Sequence, residues 1–491
     1  ESNQVSNEGL KIFGKNLELL KALSNFSINF VGCHNISNDG VLEFSKSLRL
    51  LTKLAHFALS FDSCINLDEK ILRLLSRFPI RFQDLDKLSI QILGNKFRMN
   101  SQGSRTNSLR PLSLELEFKR CIIVSDNGLT ILGNHIKEMK SISNLSLSFQ
   151  GCSQITAIHL EEFLNSLKAI KKLTSMSLNC DSSLGSSDSL SFLHQNWDLN
   201  NLSLKFRYTS KHSDGNFSNI FQNFHKMKNL ELHFKQGEGD LTDGDFKQLV
   251  TSLQDLNKLS QFSLNCSINS LSYSSFSSFC HNMNNFKSLN VLDLTFHQCH
   301  KIGDSSLYEF SSSLKELTAL KHLGLNFDNS SLITDDGLAV LFENIYPIRN
   351  LNSLNLKFKY LDKIRGKAFF KLAPNTCTFP KLTKMNIGFL NCRGLKDEGV
   401  EAICSSLRNL EALEEFQLHL IHCRNISDLS LKIISSSLAA INFLKNVELD
   451  FSLCDNITSL EFLAFTSFIK ELQISAKISS NFVWPYTKNC L

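Results

Sequence analysis

The sequence has 491 residues, of which 42% are hydrophobic and 20% are charged, a balance typical of folded domains and not of disordered chains. Its 52 Lys and Arg residues nearly balance its 47 Asp and Glu residues, which excludes a strongly acidic protein and gives no broad nucleic-acid-binding footprint. No apolar run reaches the roughly 18 residues of a membrane helix, and residues 1–10 lack the basic start and apolar core of a signal peptide.

A pattern of about 31 residues repeats through most of the sequence. The segments that begin at Leu289 and Leu382 follow one template, L-x2-L-x-L-x-F-x2-C-x2-I-x-D-x-G-L, after which apolar residues recur three or four positions apart. Positions are numbered from the first Leu of the template, which is offset 0. The residues at offset 3 are Phe26, Phe57, Leu88, Leu114, Leu145, Met176, Leu202, Leu230, Phe262, Leu292, Leu323, Leu354, Met385, Phe416, Val447 and Leu472. Such spacing predicts an array of about sixteen repeats, each contacting its neighbours.

Each repeat changes its hydrophobic period from that of a strand to that of a helix. Apolar residues alternate at offsets 3, 5 and 7, as in Leu292, Leu294 and Phe296, whereas Leu307 and Leu314 follow the helical spacing of offsets 18 and 25. The turn between them often carries an Asp that is expected to cap the helix: Asp126, Asp304, Asp335, Asp397 and Asp428. Gly follows at offset 17, where it is expected to relieve crowding: Gly9, Gly40, Gly128, Gly244, Gly337 and Gly399.

This template resembles that of the leucine-rich repeat superfamily, in particular its long-repeat, ribonuclease-inhibitor-like branch. The stretch 121–129 also resembles the cysteine-containing turn of the repeats in F-box substrate receptors. The resemblance implies an α/β leucine-rich-repeat solenoid, or horseshoe, with a parallel sheet on its concave face and helices on its convex face. Stacking predicts the same curvature, because a helix layer is about 10 Å wide per repeat and a strand layer about 4.8 Å. The superfamily has many unrelated partners, so this fold identifies no function by itself.

Ten of the 14 Cys residues occupy fixed positions in the repeat, which is typical of small apolar core residues. Eight stand at offset 10: Cys33, Cys64, Cys121, Cys152, Cys299, Cys392, Cys423 and Cys454. The other two, Cys180 and Cys266, replace Phe at offset 7. Zinc is the alternative, but the clusters that begin at His297 and His419 lack a second half nearby. Structural packing is preferred, and a reduced, intracellular compartment is expected.

The sequence contains none of the catalytic motifs that we sought: a Walker A loop, G-x-S-x-G, H-E-x-x-H or the protein-kinase signatures. Acidic residues such as Asp335 and Asp336 fall at the start of predicted helices, where a structural role is preferred. We therefore expect a protein that is not an enzyme and that needs no cofactor or metal.

The solvent-facing side of the predicted sheet is the expected place for a partner. Offsets 4, 6 and 8 point away from the core if offsets 3, 5 and 7 point inward, and most residues at offset 4 are small and polar. They do not form the dense acidic face of a ribonuclease-inhibitor mimic, and that activity is rejected. Six basic residues break the pattern, with Lys205 and Arg207 beside His233 and Lys235, and with Lys357 and Lys359 further along. These residues predict a contact for an acidic protein surface, and an ordinary solvated face is the alternative.

Two polar stretches, 93–108 and 208–216, interrupt the repeats near the first basic group. Insertions of this kind in repeat arrays fall on surface turns and often carry recognition. The predicted organisation has three parts: a truncated first repeat at 1–22, the array at 23–472, and a C-terminal cap or tail at 473–491. Because residues 5–10 match offsets 13–18, we expect a longer or processed protein with any further domain upstream.

The leading hypothesis is a non-catalytic scaffold that binds a protein partner through the concave sheet face and adjoining loops, alone or as one subunit of a larger assembly. Neither membrane nor nucleic-acid binding is expected. The alternative is a regulatory or substrate-receptor arm of a larger enzyme, such as a ubiquitin ligase or a protein kinase. A GTPase-activating protein resembling the Ran-directed family is disfavoured, because its catalytic surface is not identifiable. The predicted location is cytoplasmic. The bias toward Asn, Lys, Phe and Ser resembles that of A+T-rich protist genomes, including ciliates, and suggests cytoskeletal or ciliary assemblies.

Overall fold

A computed structural model describes most of the chain in sixteen segments. They are residues 5–30, 33–48, 50–51, 56–62, 87–93, 112–119, 126–139, 142–152, 155–180, 192–194, 196–207, 217–235, 241–373, 379–441, 443–472 and 475–479. The polar stretches at 94–108 and 208–216 lie outside the described residues. The chain divides into an N-terminal body, Glu1–Asp240, and a C-terminal body, Leu241–Leu491.

In both bodies parallel strands alternate with helices or short turns. The N-terminal body has helices α1 (Asn7–Leu17), α2 (Asn38–Leu48), α3 (Asp126–Ile136) and α4 (Ala157–Ser166). Its strands are β1 (Asn25–Asn29), β2 (His56–Asp62), β3 (Lys87–Leu93), β4 (Leu112–Lys119), β5 (Ile142–Ser148), β6 (Ser175–Cys180), β7 (Asn201–Arg207) and β8 (Asn229–Lys235). A 3-10 turn at Leu167–Ala169 follows α4.

The C-terminal body repeats the same order with fewer irregularities. Its helices are α5 (Asp243–Leu253), α6 (Tyr273–Met283), α7 (Asp304–Leu314), α8 (Asp335–Ile345), α9 (Asp397–Leu407), α10 (Asp428–Ala439) and α11 (Ser459–Glu471). Its strands are β9 (Gln261–Ser267), β10 (Val291–His297), β11 (His322–Asp328), β12 (Ser353–Lys359), β13 (Lys384–Leu390), β14 (Glu415–Ile421), β15 (Asn446–Asp450) and β16 (Ser475–Ser479). A 3-10 turn, Lys367–Lys371, replaces the helix between β12 and β13.

Within each body every strand pairs in parallel with the next strand of the chain, at the same offset of the template. Leu292 thus pairs with Leu323, and Leu323 pairs with Leu354. The predicted leucine-rich-repeat fold, with a parallel sheet and a helix layer, is therefore confirmed in each body. One register shift occurs in the N-terminal body, between Leu112 and Ser113 where β4 pairs with β5.

The core lies between the sheet and the helices, as the alternation of apolar residues predicts. On β10 the side chains of Leu292, Leu294 and Phe296 are buried, and the residues between them are half-buried. Phe at offset 7 forms a ladder, with the rings of Phe296 and Phe327 stacked at 6.2 Å between centroids. Each buried Leu or Phe contributes roughly 1.5–3 kcal/mol of burial free energy, and every repeat supplies several.

The last repeat differs from the prediction, which placed Leu472 at offset 3. Strand β16 pairs Ala476 with Val447, so Ala476 holds that position, and the strand lies within the segment 473–491 that was assigned to a cap or tail. The physical reason is that α11 extends to Glu471, so the residues read as the start of the last repeat belong to this helix. The helical hydrophobic period extends to Leu472, which follows the last residue of α11.

The predicted capping role of the turn Asp residues is wrong, because each of these helices begins at the Asp itself. In α8 the residue before it, Thr334, is the N-cap and accepts from Asp336 N. The Asp carboxylate instead bridges to the next repeat: Asp304 accepts from Thr334 N at 2.9 Å and from Thr334 Oγ1 at 2.7 Å. Asp126, Asp397 and Asp428 form the same contacts with Thr156, Ser427 and Thr458.

This Asp bridge gives a physical reason for one of the glycines at offset 17. A Cβ built at Gly337 would overlap the carboxylate of Asp304. The predicted role of Gly in relieving crowding is therefore correct at Gly337. At Gly9, in the first helix, the nearest atom would be Ser6 Oγ at 3.8 Å, so no such crowding exists.

The cysteines of the described residues are buried and form no disulfide. At offset 10 the thiols of Cys152, Cys392, Cys423 and Cys454 also reach a backbone carbonyl near the strand end of the preceding repeat, a contact that the sequence did not predict. Cys392 Sγ lies 3.4 Å from Phe358 O, and Cys423 Sγ lies 3.7 Å from Phe389 O. Burial raises the pKa of Cys392 to about 12, so this residue is a protonated donor at neutral pH. Cys64, Cys121, Cys377 and Cys490 lie outside the described residues.

A residue in the left-handed backbone region precedes the cysteine position in the C-terminal body. Offset 9 has positive φ at Gln298, Asn329, Tyr360, Asn391, His422 and Leu453. This conformation turns the chain out of the strand, and the N–H of Asn391 then donates to Ile421 O of the next repeat at 2.8 Å. Asn and His are among the residue types enriched at positive φ, whereas Gln298, Tyr360 and Leu453 are not.

Candidate binding face of the sheet

The sheet of the C-terminal body has one face toward the helices and a second, open face formed by offsets 4, 6 and 8. Most side chains on the open face are half-buried and polar, as Thr295, Asn326 and Gln417 are. Their immediate neighbours along the strands, at offsets 3, 5 and 7, are buried in the core. The open face is therefore a solvent-accessible polar surface on a regular backbone.

A charged cluster at offset 8 joins three neighbouring strands. The Asp328 carboxylate accepts a hydrogen bond from His297 Nδ1 at 2.9 Å and lies 3.4 Å from Lys359 Nζ. Burial of the Asp328 carboxyl acts to raise its pKa, but the hydrogen bond from His297 and the charges of Lys359 and His297 outweigh burial and lower the pKa. Lys359 also lies 5.1 Å above the centre of the Tyr360 ring. The charge of Lys359 is thus compensated within the protein.

Lys357 has different surroundings from Lys359, although both lie on β12. Its side chain is exposed, and no carboxylate of the described residues forms an ion pair with it. Lysines on other strands of this sheet are paired: Lys384 on β13 with Glu415 at 2.9 Å, and Lys477 on β16 with Glu448. Of the two lysines predicted here, Lys357 is therefore the one available to a partner.

Two asparagine amides lie beside Lys357 on the open face. Asn355 and Asn386 stand directly opposite each other on β12 and β13. The amide oxygen of each is shielded from solvent and has no hydrogen-bond donor among the described residues. Unsatisfied buried polar atoms are uncommon in folded proteins, and neither amide is fixed through its oxygen by a hydrogen bond within the described residues.

Gly388 interrupts the row of larger side chains at offset 6. It pairs with Lys357 on β12 and with His419 on β14. Gly388 was not singled out from the sequence, and His419 was considered only as part of a zinc cluster. The available signal was a residue without a side chain at an outward position, flanked at the same offset by a lysine and a histidine.

The first predicted basic group lies in the N-terminal body and is partly neutralised. The register places Lys205 opposite His233, and Arg207 opposite Lys235. Lys205 Nζ lies 2.8 Å from Glu231 Oε1, and Ser203 Oγ donates to Glu231 Oε2 at 2.6 Å. The side chains of Arg207 and Lys235 lie outside the described residues.

Glu231 is held ionised by this arrangement. Burial of its carboxyl acts to raise its pKa, but the hydrogen bonds from Lys205 and Ser203 and the charges of Lys205 and His233 outweigh burial and leave the pKa below its usual range. Lys205 therefore carries a compensated charge, which makes it a weaker attractor for an acidic partner than an unpaired lysine.

In the described part of the chain, no three His, Cys, Asp or Glu side chains converge in a way that could hold a metal ion. The thiol of Cys299, in one of the two clusters considered for zinc, is buried and bonded to His297 O at 3.4 Å. None of the described helices has the length and apolar composition that crossing a bilayer requires.

No family model matches the sequence, and no curated protein matches it. Among solved structures, a chain described as the crystal structure of a TLR13–ssRNA13 complex is similar to this chain, with a TM-score of 0.46 and 14% sequence identity. The similar region covers 89% of this chain and 61% of the length of that chain. A likeness of this degree carries no argument about what this chain binds.

Proposed function

We propose that this protein is a non-catalytic scaffold that binds a protein partner through the open face of its sheet. The observation that carries the proposal is the contrast within each strand of the C-terminal body. One side of the strand is fully buried, and the other presents polar side chains to solvent at a fixed spacing. Parallel strands about 4.8 Å apart hold these side chains in rows, and a surface with a fixed backbone loses little conformational entropy on binding.

Lys357, which forms no ion pair with the described residues, supports an acidic partner surface, as the sequence predicts. Lys359 and Lys205 are paired with carboxylates and contribute less, whereas Arg207, His233 and Lys235 remain proposed contacts. The repeats are further proposed to be of the ribonuclease-inhibitor-like, cysteine-containing kind. The thiols that bond to the preceding repeat, such as that of Cys392, support this assignment. A cytoplasmic location is part of the same proposal, because buried unbridged thiols suit a reducing compartment.

The test compares two variants of a tagged chain expressed in its native cells. Thr295→Glu with Asn326→Glu places two carboxylates on the open face, where they repel an acidic partner, and Ser436→Glu with Ser467→Glu places the same charge on exposed helix positions. Loss of the co-purified protein from the first variant alone is expected. Loss from the second variant alone would contradict the proposal. Recovery of RNA in place of a protein, abolished by nuclease, would also contradict it.

A further inference from the structure

We propose that the space above Gly388 on the open face is a binding site for a carboxylate side chain of an acidic segment in the protein partner. This site, called the notch below, is bounded by Lys357, His419, Asn386 and Leu390. The inference rests on the proposed function and names the chemistry of the group that the open face recognises.

The notch exists because Gly388 has no side chain, whereas its neighbours at offset 6 on the adjacent strands do. Gly388 stands between Lys357 and His419, each about 4.8 Å away across the sheet. Asn386 and Leu390 lie on the same strand and point to the same face, two residues before and after Gly388. A Cβ at Gly388 would meet Lys357 Cγ at 3.6 Å, an ordinary contact, so the space accepts a group without strain.

The charge of the notch comes from Lys357. Its neighbours at offset 6 are Asn326 and Gly388, which carry no charge, and no carboxylate in the described part of the chain neutralises it. A carboxylate in the notch would therefore gain an ion pair without breaking one inside the protein. This situation differs at Lys384 and Lys359, where an incoming carboxylate would compete with Glu415 and Asp328.

Neutral groups around the notch are placed to contact the parts of an acidic side chain that Lys357 does not. The amides of Asn386 and Asn355 are not fixed through their oxygens by any hydrogen bond within the described residues, so they can turn to present donors to a carboxylate. Leu390 is half-buried beside them and offers apolar contact to the methylene groups of a Glu.

The arrangement favours isolated carboxylates over a phosphate backbone. The same face carries acidic side chains on both sides of the notch. Asp293 lies on β10 and Asp328 on β11, and Glu448 and Asp450 lie on β15. Asp328 and Glu448 are paired with Lys359 and Lys477, so in the described part of this face Lys357 is the lysine without a carboxylate partner. One such cation suits a single carboxylate of a peptide, whereas a nucleic acid presents closely spaced charges that bind several cations at once.

The experiment measures fluorescence anisotropy of a labelled peptide of alternating Glu and Ser with the whole chain. Its neutral counterpart has Gln in place of Glu. We expect the Glu peptide to bind more tightly than the Gln peptide, and Lys357→Glu to weaken it about tenfold or more. Gly388→Glu places a carboxylate of the protein itself in the notch, so it should weaken the Glu peptide to a similar extent.

The matched control is Lys470→Glu, which makes the same change in net charge at an exposed position of α11 and should leave the affinity unchanged. Lys357→Glu should also gain affinity for a peptide of alternating Lys and Ser, a result that misfolding cannot produce. Equal affinity of the wild-type chain for the Glu and Gln peptides, or equal loss in Lys357→Glu and Lys470→Glu, would overturn the site.

The two proposals fail in different ways. If the open-face Glu variant Thr295→Glu with Asn326→Glu loses the cellular partner while Lys357→Glu and Gly388→Glu retain it, the open face binds the partner but the notch takes no carboxylate from it. If only the helix-face variant loses the partner, the proposed function itself is wrong.

Discussion

The Asp bridges between repeats make a prediction that neighbouring residues can test. Asp335 and Asp336 occupy the first two positions of α8, and both lie near the positive end of the helix dipole. Only Asp335 contacts the next repeat, where its carboxylate accepts from Arg365 N at 2.8 Å, Gly366 N at 3.0 Å and Ala368 N at 3.3 Å. Asp335→Ala and Asp336→Ala therefore differ only in the loss of this bridge.

The size of the effect follows from these contacts. A hydrogen bond to a charged acceptor contributes about 1.5–3 kcal/mol, and the lower value suits a carboxylate that water partly reaches. The two shorter bonds then give about 3 kcal/mol for Asp335→Ala, and the longest adds little. Asp336→Ala removes only the interaction of its carboxylate with the helix dipole, about 0.5 kcal/mol.

Hydrogen exchange read by mass spectrometry measures the effect without assuming that the whole array unfolds in one step. Exchange in the segment 365–372 should become about 100-fold faster in Asp335→Ala and change less than threefold in Asp336→Ala. Equal acceleration in the two variants would show that the carboxylate acts through the helix dipole alone and would refute the bridge.

Three further predictions concern stability, each read from thermal or urea unfolding. Gly337→Ala should lower the free energy of unfolding because its Cβ overlaps the carboxylate of Asp304. Gly9→Ala, at the same helix position without such a neighbour, should raise the free energy of unfolding by about 0.5 kcal/mol. A change of the same sign at both sites would contradict the role of the Asp bridge. Asp328→Asn should cost about 1–2 kcal/mol at neutral pH. Because the folded state lowers the pKa of Asp328, the stabilisation by its carboxylate is complete above the unfolded pKa and is lost as pH falls through the folded pKa. The stabilities of the wild-type chain and Asp328→Asn should therefore converge below about pH 4. A difference in stability that does not change with pH would disprove this role of Asp328. Leu453→Asn should raise stability by about 1 kcal/mol by relieving its positive φ of 61°, and a loss would show that its side-chain packing matters more.

The strands and their register could be predicted from the sequence because each repeat must bury its own alternating residues. The prediction failed in the last repeat, where residues up to Leu472 continue the helical period of α11 and the last strand follows at Ser475–Ser479. The role of the turn Asp residues was also missed, since their partners lie in the next repeat and not in the helix that they begin.

The candidate site could also be predicted only in part, because contacts between neighbouring strands decide which residues are available. From the sequence, Lys205, Lys357 and Lys359 have equal standing as basic residues at outward positions. Pairing with Glu231 or Asp328 depends on which residues adjacent strands bring together, and only the structure shows that Lys357 lacks such a partner among the described residues. Gly388 carries no chemistry of its own, so its importance emerges only from its neighbours.

The open face as the binding surface is tested most directly by site-specific photo-crosslinking in cells that express the protein. A photoreactive residue at Asn326 samples the open face, and one at Ser436 samples the helix layer. The account predicts a crosslinked protein partner from Asn326 that is absent from Ser436. A partner crosslinked from Ser436 and not from Asn326 would contradict it.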